Sequence, residues 1–336
     1  MQKFFSGFMV FIIPFFIVSC LTFELEDSIG DDTETSADDL TYRNYMRQFV
    51  QDISKYGKGL DADFIIIPQN GHALLTSDGN YSSPVSQDYI DAIDGLGRED
   101  LFYGYDSDDT ATESSDTREM IYFMDIAEAN GIQTIITDYC ETQSYMDDSY
   151  EQNYNKGYIS FAADHRELDN IPTYPISPNN ANSNDIVDLN DAKNFLYLLN
   201  PDSYSTKSEF LSALAATDYD MFIMDLYFDG EALTSADLEQ IQTKASGGSR
   251  LLISYMSIGE AEDYRYYWES EWSESFPSWI ETENPDWPGN YKVKYWDNQW
   301  ENIIFGNDTS YLKKIIDVGF DGVYLDIIDA YEYFEE

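Results

Sequence analysis

Short apolar runs recur along the chain from residue 64 onward: FIIIPQN (64–70), QTIITDYC (133–140), YISFAA (158–163), FLYLLN (195–200), MFIMDLYF (221–228), LLISYMS (251–257), YKVKYWD (291–297) and GVYLDII (322–328). Several are continuously apolar rather than alternating, the pattern of strands covered on both faces of a parallel sheet. Residues 117–130, 207–217, 235–245, 261–272 and 308–318 read as helices between them, with a further helix near 144–156. Strands alternating with helices in this way predict an α/β protein, a (β/α)8 TIM barrel in a single domain over 59–336. A doubly wound open sheet is the competing arrangement, and it is disfavoured because no strand runs into a glycine-rich phosphate loop. The stretch 71–117 is long and rich in Ser, Asp and Gly, so it either folds over a site or hides an element such as a helix around 87–95.

The chain opens differently. MQKFFSGFMVFIIPFFIVSC (1–20) has a basic start and an apolar run too short to span a bilayer, which reads as a secretory signal. Its Val-Ser-Cys ending resembles the lipobox of bacterial lipoproteins. That resemblance makes Cys20 the lipidated first residue of a mature protein anchored at the bacterial cell envelope, facing the periplasm or the exterior. Residues 21–58 then read as an acidic tether and lead-in. Without Cys20 only Cys140 remains, so no intrachain disulfide can form.

Charge narrows the partners. Across 336 residues, 64 acidic against 18 basic side chains leave a net charge of −46. Nucleic acid and anionic lipid head groups both need the Lys and Arg that are scarce here. An acidic chain of this kind suits either plain solvation or attraction of a cationic ligand into a cleft. A monomer is expected.

In a barrel, chemistry gathers where strands end. Those positions hold Gln69, Asp138, Asp225, Glu260, Asp297, Asp326 and Asp329. Asp225 lies within an otherwise apolar run, where a charge must be paired or used. All six tryptophans fall between 268 and 300. Trp268 and Trp272, four apart, suit burial on one helical face, while Trp279, Trp287 and Trp296 suit either sugar stacking or a satellite core. With two histidines and no HExxH, CxxC or GxSxG, neither a metal centre, nor a cofactor, nor a serine nucleophile is indicated. Carboxylates with aromatics point instead to glycosidic bond hydrolysis, in which one acid protonates the leaving oxygen and another attacks or activates water.

The stretches YMSIGEAEDYRYYW, ENPDWPGNYKVKYWDNQW and GFDGVYLDIIDAY, with IMDLYFDG, resemble the glycoside hydrolase family that includes endo-α-1,4-polygalactosaminidases. The resemblance covers roughly residues 215–331. It implies a (β/α)8 fold, an extracytoplasmic location and cleavage of an α-1,4-linked galactosamine-type polysaccharide, which is cationic. By that likeness Asp225 is one reacting carboxylate, kept ionised as nucleophile or base. Glu260 is expected as the second, a general acid, with Asp326 and Asp297 close behind it. Tyr255, Asp138, Trp296, Asp329 and Gln69 join Asp326 and Asp297 as expected substrate contacts. A non-catalytic glycan-binding lipoprotein is the alternative.

Within ISYMSIGEAEDYRYYW (253–268), Gly259 is expected to allow a tight turn that aims Glu260 at the cleft. Glu262 and Asp263 are expected in the first turn of a helix, where the dipole favours acids. Arg265 is expected to hold neighbouring carboxylates in a bidentate geometry.

Overall fold

The computed structural model describes residues 39–335. Helix α1 (Asp39–Leu60) comes first. Met46, Phe49, Val50 and Ile53 recur at helical spacing and are buried, so this helix packs on the core through one stripe. The lead-in expected up to residue 58 is therefore, from Asp39 onward, a packed element of the domain. The signal segment and Cys20 lie outside the described residues.

Eight parallel strands follow: β1 (Ile65–Pro68), β2 (Gly95–Glu99), β3 (Gln133–Tyr139), β4 (Ile159–Ala163), β5 (Leu196–Leu198), β6 (Met221–Met224), β7 (Leu251–Ser257) and β8 (Gly322–Asp326). Helices Ser114–Ala129, Gln143–Lys156, Lys207–Ala215, Ser235–Ile241 and Tyr311–Val318 alternate with them, an α/β fold as expected. The strands pair as two sheets, β1-β8-β7-β6-β5 and β2-β3-β4. A parallel bridge between Gln69 and Gly97 joins β1 to β2, and no pairing joins β4 to β5 among the described residues. A single continuous eight-stranded sheet is thus not what the pairing forms. No helix among the described residues is long and apolar enough to cross a membrane.

Two expectations shift here. YKVKYWD is not a parallel strand: Asn290–Val293 pairs antiparallel with Glu260–Glu262 and Ile280–Glu283 in a small separate sheet. The helix expected over 261–272 does not form either, because Glu260–Glu262 is taken by that sheet. The Tyr267 hydroxyl then receives the Glu262 N–H, turning the chain back.

The parallel strand that the apolar pattern misses is β2, inside the long 71–117 stretch, preceded by a short helix at Gln87–Ile90. Its sequence, GLGRE, carries two glycines and looks like a turn. The glycines are there for space: a Cβ on Gly97 would overlap the Tyr324 hydroxyl, and one on Gly95 would press on Leu189 and Ile135. Gly97→Ala is expected to destabilise the domain by about 1–3 kcal/mol through overpacking. Denaturant unfolding checks this, and an unchanged midpoint would refute it.

Candidate active site

The strand ends of β8, β1 and β2 turn through left-handed residues, Ile327 (φ 58), Asn70 (φ 60) and Asp100 (φ 61). For the β-branched Ile327 this conformation is strained. It aims the Ile327 N–H at Asp326 Oδ1, 2.8 Å away. Gly259 makes room for it, since a Cβ there would collide with the Ile327 carbonyl. Its smallness serves that close approach; its φ is not in the left-handed region.

Around this turn the polar groups interlock. Tyr255 Oη donates to Asp326 Oδ2 at 2.7 Å. Gln69, almost wholly buried, accepts from Tyr197 Oη at 2.9 Å and donates to Glu99 Oε2 at 2.5 Å. Asn70 and the Tyr139 phenol also donate to Glu99. Glu99 lies on the unforeseen β2, so nothing in the apolar pattern pointed to it. Burial, followed by repulsion from Glu99, pushes the Asp326 carboxyl up to about 7. Burial and Glu332 push Asp329 up to about 6.

Raised carboxyls of this kind make the folded state hold protons that the unfolded chain has released. Stability is then lost as pH rises from the unfolded value near 4 towards 7, and the penalty is complete above that window. Asp326→Asn removes it. The melting temperature of this variant is expected to match the parent at pH 4 and exceed it at pH 8, as read by thermal scans. An equal difference at both pH values would exclude the linkage.

The second group sits at the ends of β6 and β7. Asp225 follows β6, and its Oδ1 accepts the Tyr227 N–H at 2.7 Å. Its Oδ2 lies 2.6 Å from Arg265 Nη1. On its other edge the same guanidinium forks onto Glu262, with Nε 2.6 Å from Oε2 and Nη2 3.3 Å from Oε1. The Tyr264 hydroxyl donates to Glu262 Oε1 at 2.5 Å. Arg265 and Glu262 are buried, and the rings of Tyr264, Tyr311 and Tyr227 surround the guanidinium at 5.2, 5.7 and 6.0 Å. Burial pushes the Asp225 carboxyl upward, while Arg265 and the Tyr227 N–H pull it back. The strands that carry the two groups, β8, β7 and β6, lie side by side in one sheet, so the two groups are neighbours.

Arg265 thus orients two carboxylates, as the sequence suggests, but its partners are Asp225 and Glu262. Glu260, expected as the second acid, is two residues from Glu262 on the same short strand and so shares its face. It is 3% exposed, accepts from Asn284 Nδ2 at 2.8 Å and leaves Oε2 without a partner. Burial raises it. Glu262, expected from the sequence in the first turn of a helix, is the residue that shares Arg265 with Asp225. The usable signal was the spacing to Arg265, which matches a strand-and-turn as well as a helix.

Other expected contacts lie elsewhere. Asp138 is fully buried and accepts from the Phe102 and Tyr103 N–H groups, Ser149 Oγ and Asn153 Nδ2, a structural tie between loop and helix. Asp297 caps the helix Asn298–Ile304 through the Gln299 N–H. Trp296 packs on α1, with ring centroids 5.5 Å from Tyr45 and 5.1 Å from Tyr42. Trp279 is buried against Trp272 and Trp300, a satellite core rather than a sugar platform. Of the three tryptophans considered for stacking, only Trp287, 58% exposed, is open.

Comparison with known proteins reaches part of the chain. Over 180 residues the chain is 39% identical to an uncharacterized protein of Methanocaldococcus jannaschii, covering 53% of this chain and 49% of that one. An uncharacterized protein of Thermotoga maritima is 40% identical over 123 residues, 37% of this chain and 36% of the relative. One of Deinococcus radiodurans is 39% identical over 123 residues, 36% of this chain and 37% of the relative. The chain therefore spans about half or less of the length of the curated relatives it matches. Asp225, Glu260, Glu262, Arg265 and Asp326 all fall in the segment that a family model covers: residues 177–336 match glycoside-hydrolase family GH114.

Proposed function

We propose that this protein is a glycoside hydrolase that cleaves an amino-sugar polysaccharide, of the α-1,4-linked galactosamine type. The observation that carries the reading is one buried guanidinium holding two carboxylates, Asp225 and Glu262, at adjoining strand ends inside the family segment. The cyclic order β1 to β8, with β1 beside both β8 and β2, supports a (β/α)8 barrel whose seam lies between β4 and β5. The site then sits at the C-terminal ends of the strands.

The partners of each carboxylate separate their roles. Asp225 faces only N–H donors, a backbone amide and Arg265, and neither can accept a proton. That environment suits a carboxylate that stays ionised and attacks the anomeric carbon or activates water. Glu262 faces the Tyr264 hydroxyl, which can donate to an ionised carboxyl and accept from a protonated one. Glu262 also carries two Arg265 N–H donors, but of the two carboxylates it is the one with a hydroxyl partner able to take up its proton, and on that difference we assign it the proton transfer to the glycosidic oxygen. Asp326, with Tyr255 bound to it, positions a hydroxyl or ammonium of the sugar. A net charge of −46 favours a cationic polymer. Anchoring through a lipid on Cys20 places this activity at the cell envelope.

Incubation of the purified protein, lacking its first twenty residues, with a galactosamine polymer is expected to release oligosaccharides, seen by mass spectrometry. Binding without release would favour a glycan-binding module, and neither would reject the reading.

A further inference from the structure

Tyr264 touches the ion-paired group, yet it is exposed. Its hydroxyl donates to Glu262 Oε1 at 2.5 Å, and its ring centroid lies 5.2 Å from the Arg265 guanidinium carbon. Nevertheless 63% of the residue is open to solvent. Burial and the neighbouring Glu262 push its phenol well above the ordinary range even though most of the residue is open to solvent. The other tyrosines around Arg265 behave differently. Tyr227, Tyr266, Tyr267 and Tyr311 pack their rings against one another. Among the described residues no aromatic ring packs on Tyr264. A side chain needed only to hold Glu262 would gain by covering its apolar ring, so the open ring asks for a ligand.

Resting on the reading of Asp225 and Glu262 as the reacting pair, we propose that Tyr264 is the stacking platform for a sugar ring of the substrate. Its hydroxyl holds Glu262 while its ring carries the sugar whose glycosidic bond Glu262 protonates. One residue thereby fixes the distance between sugar plane and proton donor. Both the C–H face of a pyranose and the ammonium of an amino sugar are attracted to such a ring, the latter by its quadrupole.

Steady-state kinetics on a short galactosamine oligosaccharide test this with Tyr264→Phe, Tyr264→Leu and Tyr264→Ala, each checked for an unchanged melting temperature. Tyr264→Ala and Tyr264→Leu are expected to raise KM about tenfold, the scale of one lost stacking contact, with a smaller change in kcat. Tyr264→Phe keeps the ring, so its KM is expected to stay within about twofold of the parent. It loses the hydroxyl that holds Glu262, so its kcat is expected to fall while its KM does not. A KM for Tyr264→Ala equal to the parent's would overturn the proposal, as would a rise for Tyr264→Phe matching that for Tyr264→Ala. A parent that neither binds nor cleaves amino-sugar oligosaccharides removes the functional reading and this inference together. A cleaving parent with unaltered Tyr264 variants removes only the inference.

Discussion

Asp225→Asn and Glu262→Gln are each expected to lower kcat on a cleaved amino-sugar polymer by about 10²–10⁴-fold, the usual loss when a positioned acid or base is neutralised. Both are isosteric, so binding of the polymer should survive, while the melting temperature should fall because buried Arg265 keeps only one of its two carboxylate partners. Glu260→Gln is the decisive comparison. Glu260 shares a strand face with Glu262, but Asn284 rather than Arg265 holds it. Its loss should cost far less activity. If Glu260→Gln abolishes turnover while Glu262→Gln leaves it intact, the assignment built on Arg265 is wrong and the proton donor lies one strand step earlier. The pair should also respond differently to the leaving group: Asp225→Asn removes activity on every substrate, whereas Glu262→Gln should retain most on substrates with a good leaving group.

The largest stability effect is expected at the opposite end of the sheet. Lys244 Nζ lies 2.8 Å from Asp220 Oδ1, and both side chains are fully buried. Asp220 also accepts from Asn182 Nδ2 and the Lys193 N–H, while its own carbonyl receives the Leu251 N–H at the start of β7. Lys244→Met would leave that carboxylate charged and buried without its cation, a loss of about 3–5 kcal/mol. For a domain of this size the melting temperature should fall by on the order of 10 °C. Adding Asp220→Asn to Lys244→Met should recover part of the loss, because the uncompensated charge is then gone. A fall of less than about 2 °C in the single variant would mean that water or a shifted side chain replaces the lysine.

Periodicity located seven of the parallel strands or their flanks, because each is an aliphatic run buried on both faces. β2 escaped because its packing requires the absence of side chains: Gly95 and Gly97 leave room for Leu189 and the Tyr324 ring. Asn290–Val293 was mistaken for a barrel strand because alternation along a chain does not say which neighbour it pairs with. Asp138 looked like a site residue at a strand end, and only its four buried donors reveal a structural tie.

What the chain determined by itself is the α/β alternation, the edge of the sheet where carboxylates gather, and the family signature in its C-terminal half. Those follow from local order, from which residues are apolar and where the runs stop. Which carboxylates share a guanidinium was decided only in three dimensions. Glu260 and Glu262 are equivalent in spacing, and both are buried on one face. A guanidinium has room for two partners, and the turn after Glu262 delivers Arg265 to Glu262 on one edge and to Asp225, 40 positions back in sequence, on the other. That choice depends on the approach of β6 to β7, a contact that no local pattern encodes.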